Sequence, residues 1–236
     1  MKIKHVVILA GGKGSRLRPY TVVLPKPLMP IGDYSILELI IRQLKKYKFE
    51  RVTLAVGHKA NLIKSFFGNG ENFGINIDYV HEKKNLGTMG PLHLLTKIQD
   101  NFLVMNGDIL TDMNLNNFLK FHFKNKNIFS VATYKKNYKI DFGVLISEKK
   151  ILKNFYEKPK KKFEVSMGIY AVNRSIINLI PKNKYYGFDH LMKKMLKKRI
   201  EVATFNYDGL WLDIGRQDDY FKAIDMFKVN KKNFIK

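Results

Sequence analysis

The sequence predicts an α/β fold on a largely parallel sheet, and three observations carry that reading. Strand-like apolar runs alternate with helix-like segments through roughly the first half, a spacing that implies crossover units. Two strand patterns, His5 to Ala10 and Phe102 to Asn106, run straight into glycine, as Gly11-Gly12 and Gly107-Asp108. No Pro/Gly-rich linker, internal repeat or low-complexity tract divides the chain. One domain over residues 1–229 is therefore expected, with a polar tail at 230–236 that should fray.

The elements follow in order. His5 to Ala10 is a buried strand. Ser35 to Lys48 places Ile36, Leu37, Ile40, Leu44 and Tyr47 on one helical face. Arg51 to Val56 reads as a strand, Ala60 to Phe67 as a helix and Asn76 to Val80 as a short strand. Thr88 to Gln99 reads as a helix, Phe102 to Asn106 as a strand, Asn114 to Phe123 as a helix and Ile128 to Tyr134 as a strand. The pattern then changes. Phe142 to Ile146, Ile151 to Tyr156 and Phe163 to Val172 read as shorter strands of an insertion or edge region. Ser175 to Ile180 and Phe188 to Lys198 look helical, Glu201 to Tyr207 is a strand, and Gln217 to Val229 a closing helix.

Composition narrows the class. The 236 residues are 45% hydrophobic and 13% aromatic, enough for a sizeable core. There is no cysteine, which excludes disulfides and thiolate metal sites. The apolar run Val6 to Ala10 is too short for a signal peptide or a membrane span, so a cytoplasmic protein without a membrane partner is expected. The formal charge of +23 raises the question of nucleic acid. The lysines are scattered, with dense runs only at Lys158–Lys162 and Lys193–Arg199, which reads as a solvated basic surface and no nucleic-acid partner. Such a field would still draw small anions.

The densest chemical signal is Leu9-Ala10-Gly11-Gly12-Lys13-Gly14-Ser15-Arg16-Leu17-Arg18-Pro19, followed by Leu24-Pro25-Lys26-Pro27-Leu28. A buried strand running into glycines lets backbone N–H groups approach phosphate. The pattern is neither a Walker loop nor a dinucleotide fingerprint, because Pro19 and Pro25 argue against the helix both would place directly after the glycines. Arg16 can hold phosphate oxygens through its planar fork and Lys26 can act as a point charge. The second motif, Val104-Met105-Asn106-Gly107-Asp108, puts a carboxylate at the end of a parallel strand, where ligands bind in such sheets. A hard oxygen ligand there suits Mg²⁺, and the plainer reading is a capping Asp in a turn. The same two readings apply to Asp213 in Gly209-Leu210-Trp211-Leu212-Asp213-Ile214-Gly215.

Taken together, these segments resemble the signature of the sugar-1-phosphate nucleotidylyltransferases, from Lys4 to about Phe227. The mannose-1-phosphate guanylyltransferase group is the nearest in motif. The resemblance implies a Rossmann-like three-layer sandwich with a mixed, mostly parallel central sheet. It implies a nucleotide half over about 1–135 and a sugar-binding half over about 136–229. It also implies the reaction of a nucleoside triphosphate with a sugar 1-phosphate, giving a nucleotide sugar, a surface-glycan precursor, and pyrophosphate. Arg16, Lys26 and Asp108 would be catalytic. Leu9, Ala10, Gly11, Gly12, Gly14, Ser15, Arg16, Lys26, Glu82, Gly87 and Thr88 would hold the nucleotide, with Ser15 where relatives often carry Thr. Asp108 and Asp213 would hold Mg²⁺. Asn106, Gly107, Gly143, Glu157, Lys158, Ser166 and Gly168 would face the sugar phosphate, with Ser166 where many relatives carry Asn.

Family position makes Glu82 a candidate reader of the base edge. A carboxylate only accepts hydrogen bonds. Guanine offers adjacent N1–H and N2–H₂ donors, which favours GTP over CTP, UTP or dTTP. The plainer reading is that Glu82 faces solvent or pairs with Lys83 or Lys84. Trp211 and the phenylalanines read as core, and the histidines show no metal-ligand spacing. A nucleotide-sugar glycosyltransferase would typically carry Asp-x-Asp, which Asn106-Gly107-Asp108 lacks. The end of the chain at residue 236 leaves no room for a repeat domain, so a single activity is expected, in an enzyme that could be a homo-oligomer.

Overall fold

The computed structural model describes residues 3–235. The chain opens with β1 (His5–Ala10), the short pair β2 (Pro30–Ile31) and β3 (Tyr34–Ser35), α1 (Ile36–Lys46), β4 (Arg51–Val56), α2 (Ala60–Phe67) and β5 (Asn76–His81). It continues through β6 (Asn101–Asn106), β7 (Ile109–Thr111), α3 (Leu115–Lys124), β8 (Phe129–Lys139), the hairpin β9 (Val144–Glu148) and β10 (Ile151–Tyr156), and β11 (Lys160–Asn173). It closes with α4 (Phe188–Lys197), β12 (Ala203–Tyr207), β13 (Trp211–Asp213) and α5 (Gln217–Phe234).

Seven strands form the central sheet in the order β12-β8-β11-β6-β1-β4-β5. Their pairings are parallel except along β11, which runs against both β6 and β8. Both faces are covered, and alternate residues of each inner strand serve different cores. Val6, Ile8, Leu103, Met105, Ile169 and Ala171 pack with α1, α2, α3 and α5. Val7, Phe102, Val104, Tyr170 and Val172 pack with α4 on the other side. Double burial is why these strands read as continuous apolar runs. The expected three-layer α/β sandwich is therefore present.

The chain passes from β1 through α1 to β4 and on to β5, then returns to the opposite side of β1 with β6. The carboxyl ends of β1 and β6 therefore flank a topological switch point, where open α/β sheets form their ligand crevice. Helix α1 begins as the sequence suggests: Ser35 caps it by accepting from the Glu38 N–H at 3.1 Å, and Glu38 pairs with Arg42 one turn on at 2.8 Å.

Four sequence expectations are corrected. The segment Thr88–Gln99 is not an α-helix but a short 3-10 turn over Gly90–Leu94. Pro91 has no N–H to give, and the Met89 and Gly90 N–H groups are taken by the Tyr186 carbonyl at 2.9 and 3.1 Å. Ser175–Ile180 likewise becomes a 3-10 turn, over Arg174–Leu179. Phe163–Val172 is no edge strand, since β11 lies between β6 and β8. Nor does the tail fray: α5 continues to Phe234, which is buried against Phe227 with ring centroids 6.0 Å apart. Lys236 lies outside the described residues.

Not every phenylalanine joins the core. Phe142, Phe155 and Phe163 are exposed, because they sit on a two-stranded extension that leaves the sheet beyond Tyr134 and Val165. Trp211 does pack against the core, and its indole N–H donates to the Met167 carbonyl at 3.1 Å.

Two buried histidines set an acid limit on stability. His5 Nε2 meets the Thr53 hydroxyl at 2.7 Å and His122 Nδ1 meets the Ser130 hydroxyl at 2.8 Å, and each leaves its other ring nitrogen without a partner. Burial lowers both pKa values to about 4 from the ordinary 6.5. The unfolded chain then takes up protons at a pH where the folded chain does not, so stability falls as pH drops below about 6.5. By linkage each histidine should cost about 2 kcal/mol by pH 5. Thermal melts between pH 7.5 and 5 should show this loss, and His122→Asn should flatten the slope. An unchanged slope would assign the loss elsewhere.

Candidate active site

A cleft of about 380 Å³ opens at the carboxyl ends of β1 and β6. Its floor is Leu9 and Ala10 from β1 and Asn106, Gly107 and Asp108 from the end of β6. The strands approach closely here: the Gly107 N–H donates to the Leu9 carbonyl at 2.9 Å, and a Cβ on Gly107 would lie 2.9 Å from that oxygen. Gly11, Gly12, Gly14, Ser15 and Arg16 form one wall and Lys26 and Pro27 extend it. Gly14 takes a left-handed conformation (φ +62°) that begins a 3-10 turn over Ser15–Leu17, and the Thr21 hydroxyl donates to its carbonyl at 2.8 Å. The absence of a long helix after the glycines agrees with the sequence reading.

Lys26 is buried, and its Nζ pairs with Asp108 Oδ2. The pair ties the loop after β1 to the end of β6. The other Asp108 oxygen, Oδ1, is buried without a hydrogen-bond partner. Asp213 reaches the same place from the far end of the chain. Strand β13 pairs with β7 so that Asp213 faces Ile109, and the Ile214 N–H donates to the Asp108 carbonyl at 2.9 Å. Desolvation and then the Asp108 carboxylate raise the Asp213 pKa, against the lowering influence of Lys26 and Arg16. The Arg16 guanidinium lies over Gly215, within 3.6 Å of where a Cβ would stand. Arg16, Lys26, Asp108 and Asp213 thus converge on one site.

An orphaned carboxylate oxygen beside a second carboxylate is a donor set a cation would satisfy. Among the described residues, no group of three or more His, Asp or Glu side chains could hold a metal. Two carboxylates completed by phosphate oxygens and water is nonetheless a normal Mg²⁺ environment, so the residues present fit that ion.

The opposite wall comes from Glu82, Asn85, Gly87 and Thr88. Glu82 forms no ion pair with Lys83 or Lys84 among the described residues. Its side chain turns toward Gly11, where a Cβ would stand 2.2 Å from Oε1, and its Oε2 accepts from the Leu86 N–H at 3.3 Å. Burial raises its pKa, and the Leu86 N–H partly offsets that. Gly87 has φ +76°, and a Cβ there would meet the Tyr186 carbonyl at 2.8 Å. This wall is zipped to the loop before α4, with the Tyr186 N–H donating to the Leu86 carbonyl at 2.8 Å, and the neighbouring Tyr185 lines the cleft.

The sugar-side residues divide. Asn106 and Gly107 line the cleft. Ser166 and Gly168 flank an irregularity in β11, where four residues of β11 span two of β8. Gly168 has φ +75°, and a Cβ there would lie 2.6 Å from Asn106 Nδ2, so Gly168 and Asn106 are neighbours. The Ser166 hydroxyl donates to the buried Tyr170 hydroxyl at 3.2 Å, and burial pushes that phenol up to about 12. Gly143, Glu157 and Lys158 cluster instead at the root of the β9–β10 hairpin. Glu157 and Lys158 are exposed, and none of the three lines the cleft. Pro27, Asn85, Tyr185 and Gly215 line it without having been singled out from sequence. Pro27 and Gly215 stand inside segments quoted for other residues, and Asn85 lies between Glu82 and Gly87. Tyr185 carries no local signal, since only the pairing of its neighbour Tyr186 with Leu86 brings it there.

Comparison with known proteins gives the family. The family model described as nucleotidyl transferase matches residues 5–229. A D-glycero-alpha-D-manno-heptose 1-phosphate guanylyltransferase from Campylobacter jejuni is 33% identical over 220 residues, covering 92% of this chain and 97% of that one. A UTP–glucose-1-phosphate uridylyltransferase from Synechocystis is 32% identical over 240 residues, covering 92% of this chain and 62% of the relative. The chain spans less than two thirds of that relative and of a Pichia angusta mannose-1-phosphate guanyltransferase, 29% identical, of which it covers 65%. In fold it is similar to HddC from Yersinia pseudotuberculosis, with a TM-score of 0.76, 23% identity, and 95% and 100% of the two chains covered. Matched along nearly its whole length, and with relatives among the sugar-1-phosphate nucleotidyltransferases, the chain belongs to the nucleotidyl transferase family.

Proposed function

We propose that this chain joins a nucleoside triphosphate, GTP by preference, to a sugar 1-phosphate, giving a nucleotide sugar and pyrophosphate in a Mg²⁺-dependent reaction. The observation that carries the proposal is the convergence of Arg16, Lys26 and Asp108 in the lining of the switch-point cleft, with Asp213 close enough to feel the charge of all three. A phosphate oxygen of the sugar 1-phosphate attacks the α-phosphorus, the α–β bridging bond breaks, and pyrophosphate leaves with that electron pair. No general base is needed, because a phosphate monoester is largely ionised at neutral pH. The barrier lies in bringing two anions together. Arg16 and Lys26 offset that repulsion, and the N–H groups of the Gly11–Gly14 turn orient the phosphates. A bound Mg²⁺, held by Asp108 and Asp213, would supply charge neutralisation at the phosphoryl oxygens. The product fits a role as a precursor for surface glycan.

The preference for GTP rests on Glu82. Its carboxylate turns inward beside Gly11, is free of lysine partners among the described residues, and can accept from the paired guanine donors. The neighbouring Gly87, packed against the Tyr186 carbonyl, puts backbone on the cleft wall beside Glu82. Both guanylyl- and uridylyltransferases occur among the relatives, so the base must be read from this pocket. The sugar phosphate would lie toward Asn106, Ser166 and Gly168, with Glu157 and Lys158 reaching it from the hairpin root.

Pyrophosphate release, screened over the four common triphosphates against mannose, glucose, glucosamine and heptose 1-phosphates, tests the reaction directly. No release with any pair would reject the proposal. Asp108→Asn should lower kcat by about 10³-fold or more, on the scale of losing a principal electrostatic group, and should also lower the melting temperature because Lys26 loses its charged partner, so turnover is read well below the melt. A fully active variant would remove Asp108 from the mechanism. Glu82→Gln should shift the kcat/KM ratio of GTP to UTP toward UTP by about tenfold or more, and an unchanged ratio would exclude Glu82 as the reader of the base.

A further inference from the structure

Tyr185 is the one aromatic side chain in the cleft lining among the described residues. The rest of that lining is glycine, charged and polar groups, and Leu9, Ala10 and Pro27. Tyr185 is 58% exposed, yet its place is fixed. Its neighbour Tyr186 donates its N–H to the Leu86 carbonyl at 2.8 Å and accepts from the Met89 and Gly90 N–H groups at 2.9 and 3.1 Å. Two glycines let the segments lie this close. A Cβ on Gly87 would stand 2.8 Å from the Tyr186 carbonyl oxygen, and one on Gly90 would stand 3.1 Å from that of Lys184. The Tyr185 ring packs on the same wall through Cε2, 3.2 Å from the Cβ position of Gly87. It also meets the His190 ring nearly at right angles, at 86°, with centroids 6.0 Å apart. His190 is held in turn, because its Nδ1 accepts from the Gly187 N–H at 3.1 Å.

We propose that Tyr185 is the stacking platform of the nucleotide site, with the nucleobase lying against its ring while Glu82 meets the base edge. Position selects the base over the sugar. Tyr185 touches Gly87, on the wall that carries Glu82, whereas Asn106, Ser166 and Gly168 group around the end of β6. Chemistry selects it too. Every base has a π-face, so an aromatic ring holds bases whatever their edge pattern. Tyrosine suits the task because only two side-chain torsions are frozen when it is covered. A ring already braced by Gly87 and His190 has still less freedom to lose. The two side chains then divide the work. Tyr185 supplies affinity that all triphosphates share, and Glu82 sorts among them by hydrogen bonding. Loss of Tyr185 should therefore weaken GTP and UTP alike, without the change in their ratio that Glu82→Gln brings.

The inference rests on the nucleotide reading of the cleft, so binding is measured apart from turnover. Calorimetric titration of the full chain compares GMP with inorganic pyrophosphate, which has no base. Tyr185→Ala should weaken GMP about tenfold or more and leave pyrophosphate within about twofold. In turnover, the KM values of GTP and UTP should rise together by a similar factor, and that of the sugar 1-phosphate should stay. Tyr185→Leu keeps bulk against Gly87 and His190 without a planar face and should follow Tyr185→Ala. Tyr185→Phe should restore GMP affinity. Tyr185→Trp should give emission that GMP quenches, read against the unmodified protein, whose Trp211 packs on the core. Equal weakening of GMP and pyrophosphate would make Tyr185 a brace of the wall alone. A rise confined to the sugar 1-phosphate KM would set the ring against the sugar, and unchanged GMP affinity would remove it from the site. Each of these overturns the proposal while the reaction stands. An unmodified protein that neither binds GMP nor releases pyrophosphate would instead overturn the reading of the cleft, and this inference with it.

Discussion

The site depends on one partly buried ion pair. Lys26 stands on a loop with little regular structure, and Asp108 stands at the end of a core strand, 82 residues away. A buried ammonium without a partner would be costly, so the pair holds the loop against the sheet. Asp108 then spends one oxygen on the loop and keeps the other unsatisfied beside Asp213. The protein thereby holds two carboxylates side by side, one of whose oxygens its own groups leave without a partner. Such unrelieved polarity is what a phosphorylated substrate and a cation would complete.

The sheet makes this possible at low backbone cost. Strands β1 and β6 are parallel neighbours in fixed register, Val6 facing Leu103 and Leu9 facing Asn106. Because residues 6–10 and 102–105 are locked by cores on the two faces, the glycine turns that follow them emerge at set positions. The antiparallel β11 adds a second device. Its irregularity at Ser166–Tyr170 brings Gly168 against Asn106, which a strand in plain register with β8 would not do.

Much of this was legible in the sequence. The β1 and β6 motifs are short-range signals: a buried strand, a glycine, a charged group, each within ten residues. Their strands were read almost to the residue, and their side chains meet as expected. Asp213 and Glu82 came from resemblance, and the pairing of β13 with β7 and the packing of Glu82 on Gly11 give the physical account of how they arrive. Longer-range facts were less visible. The helix expected over Thr88–Gln99 was lost because its N–H groups bond to Tyr186, nearly a hundred residues away. The central place of β11 was hidden because its first half is lysine-rich and exposed while its second half is core. The outward position of Glu157 and Lys158 follows from the same extension, whose length no local pattern marks.

Helix α5 carries a consequence for the order in which the protein becomes competent. Its first residue, Gln217, donates to the Arg18 carbonyl at 2.5 Å, and Tyr220 donates from its hydroxyl to the Pro30 carbonyl at 2.6 Å. Segments made nearly two hundred residues apart therefore brace one another. During vectorial synthesis the glycine loop leaves the ribosome early and must wait, unbraced, for the last helix to follow. A growing chain would hold the paired strands β1, β4, β5 and β6 well before it acquired a settled glycine-loop wall, and the cleft would mature last.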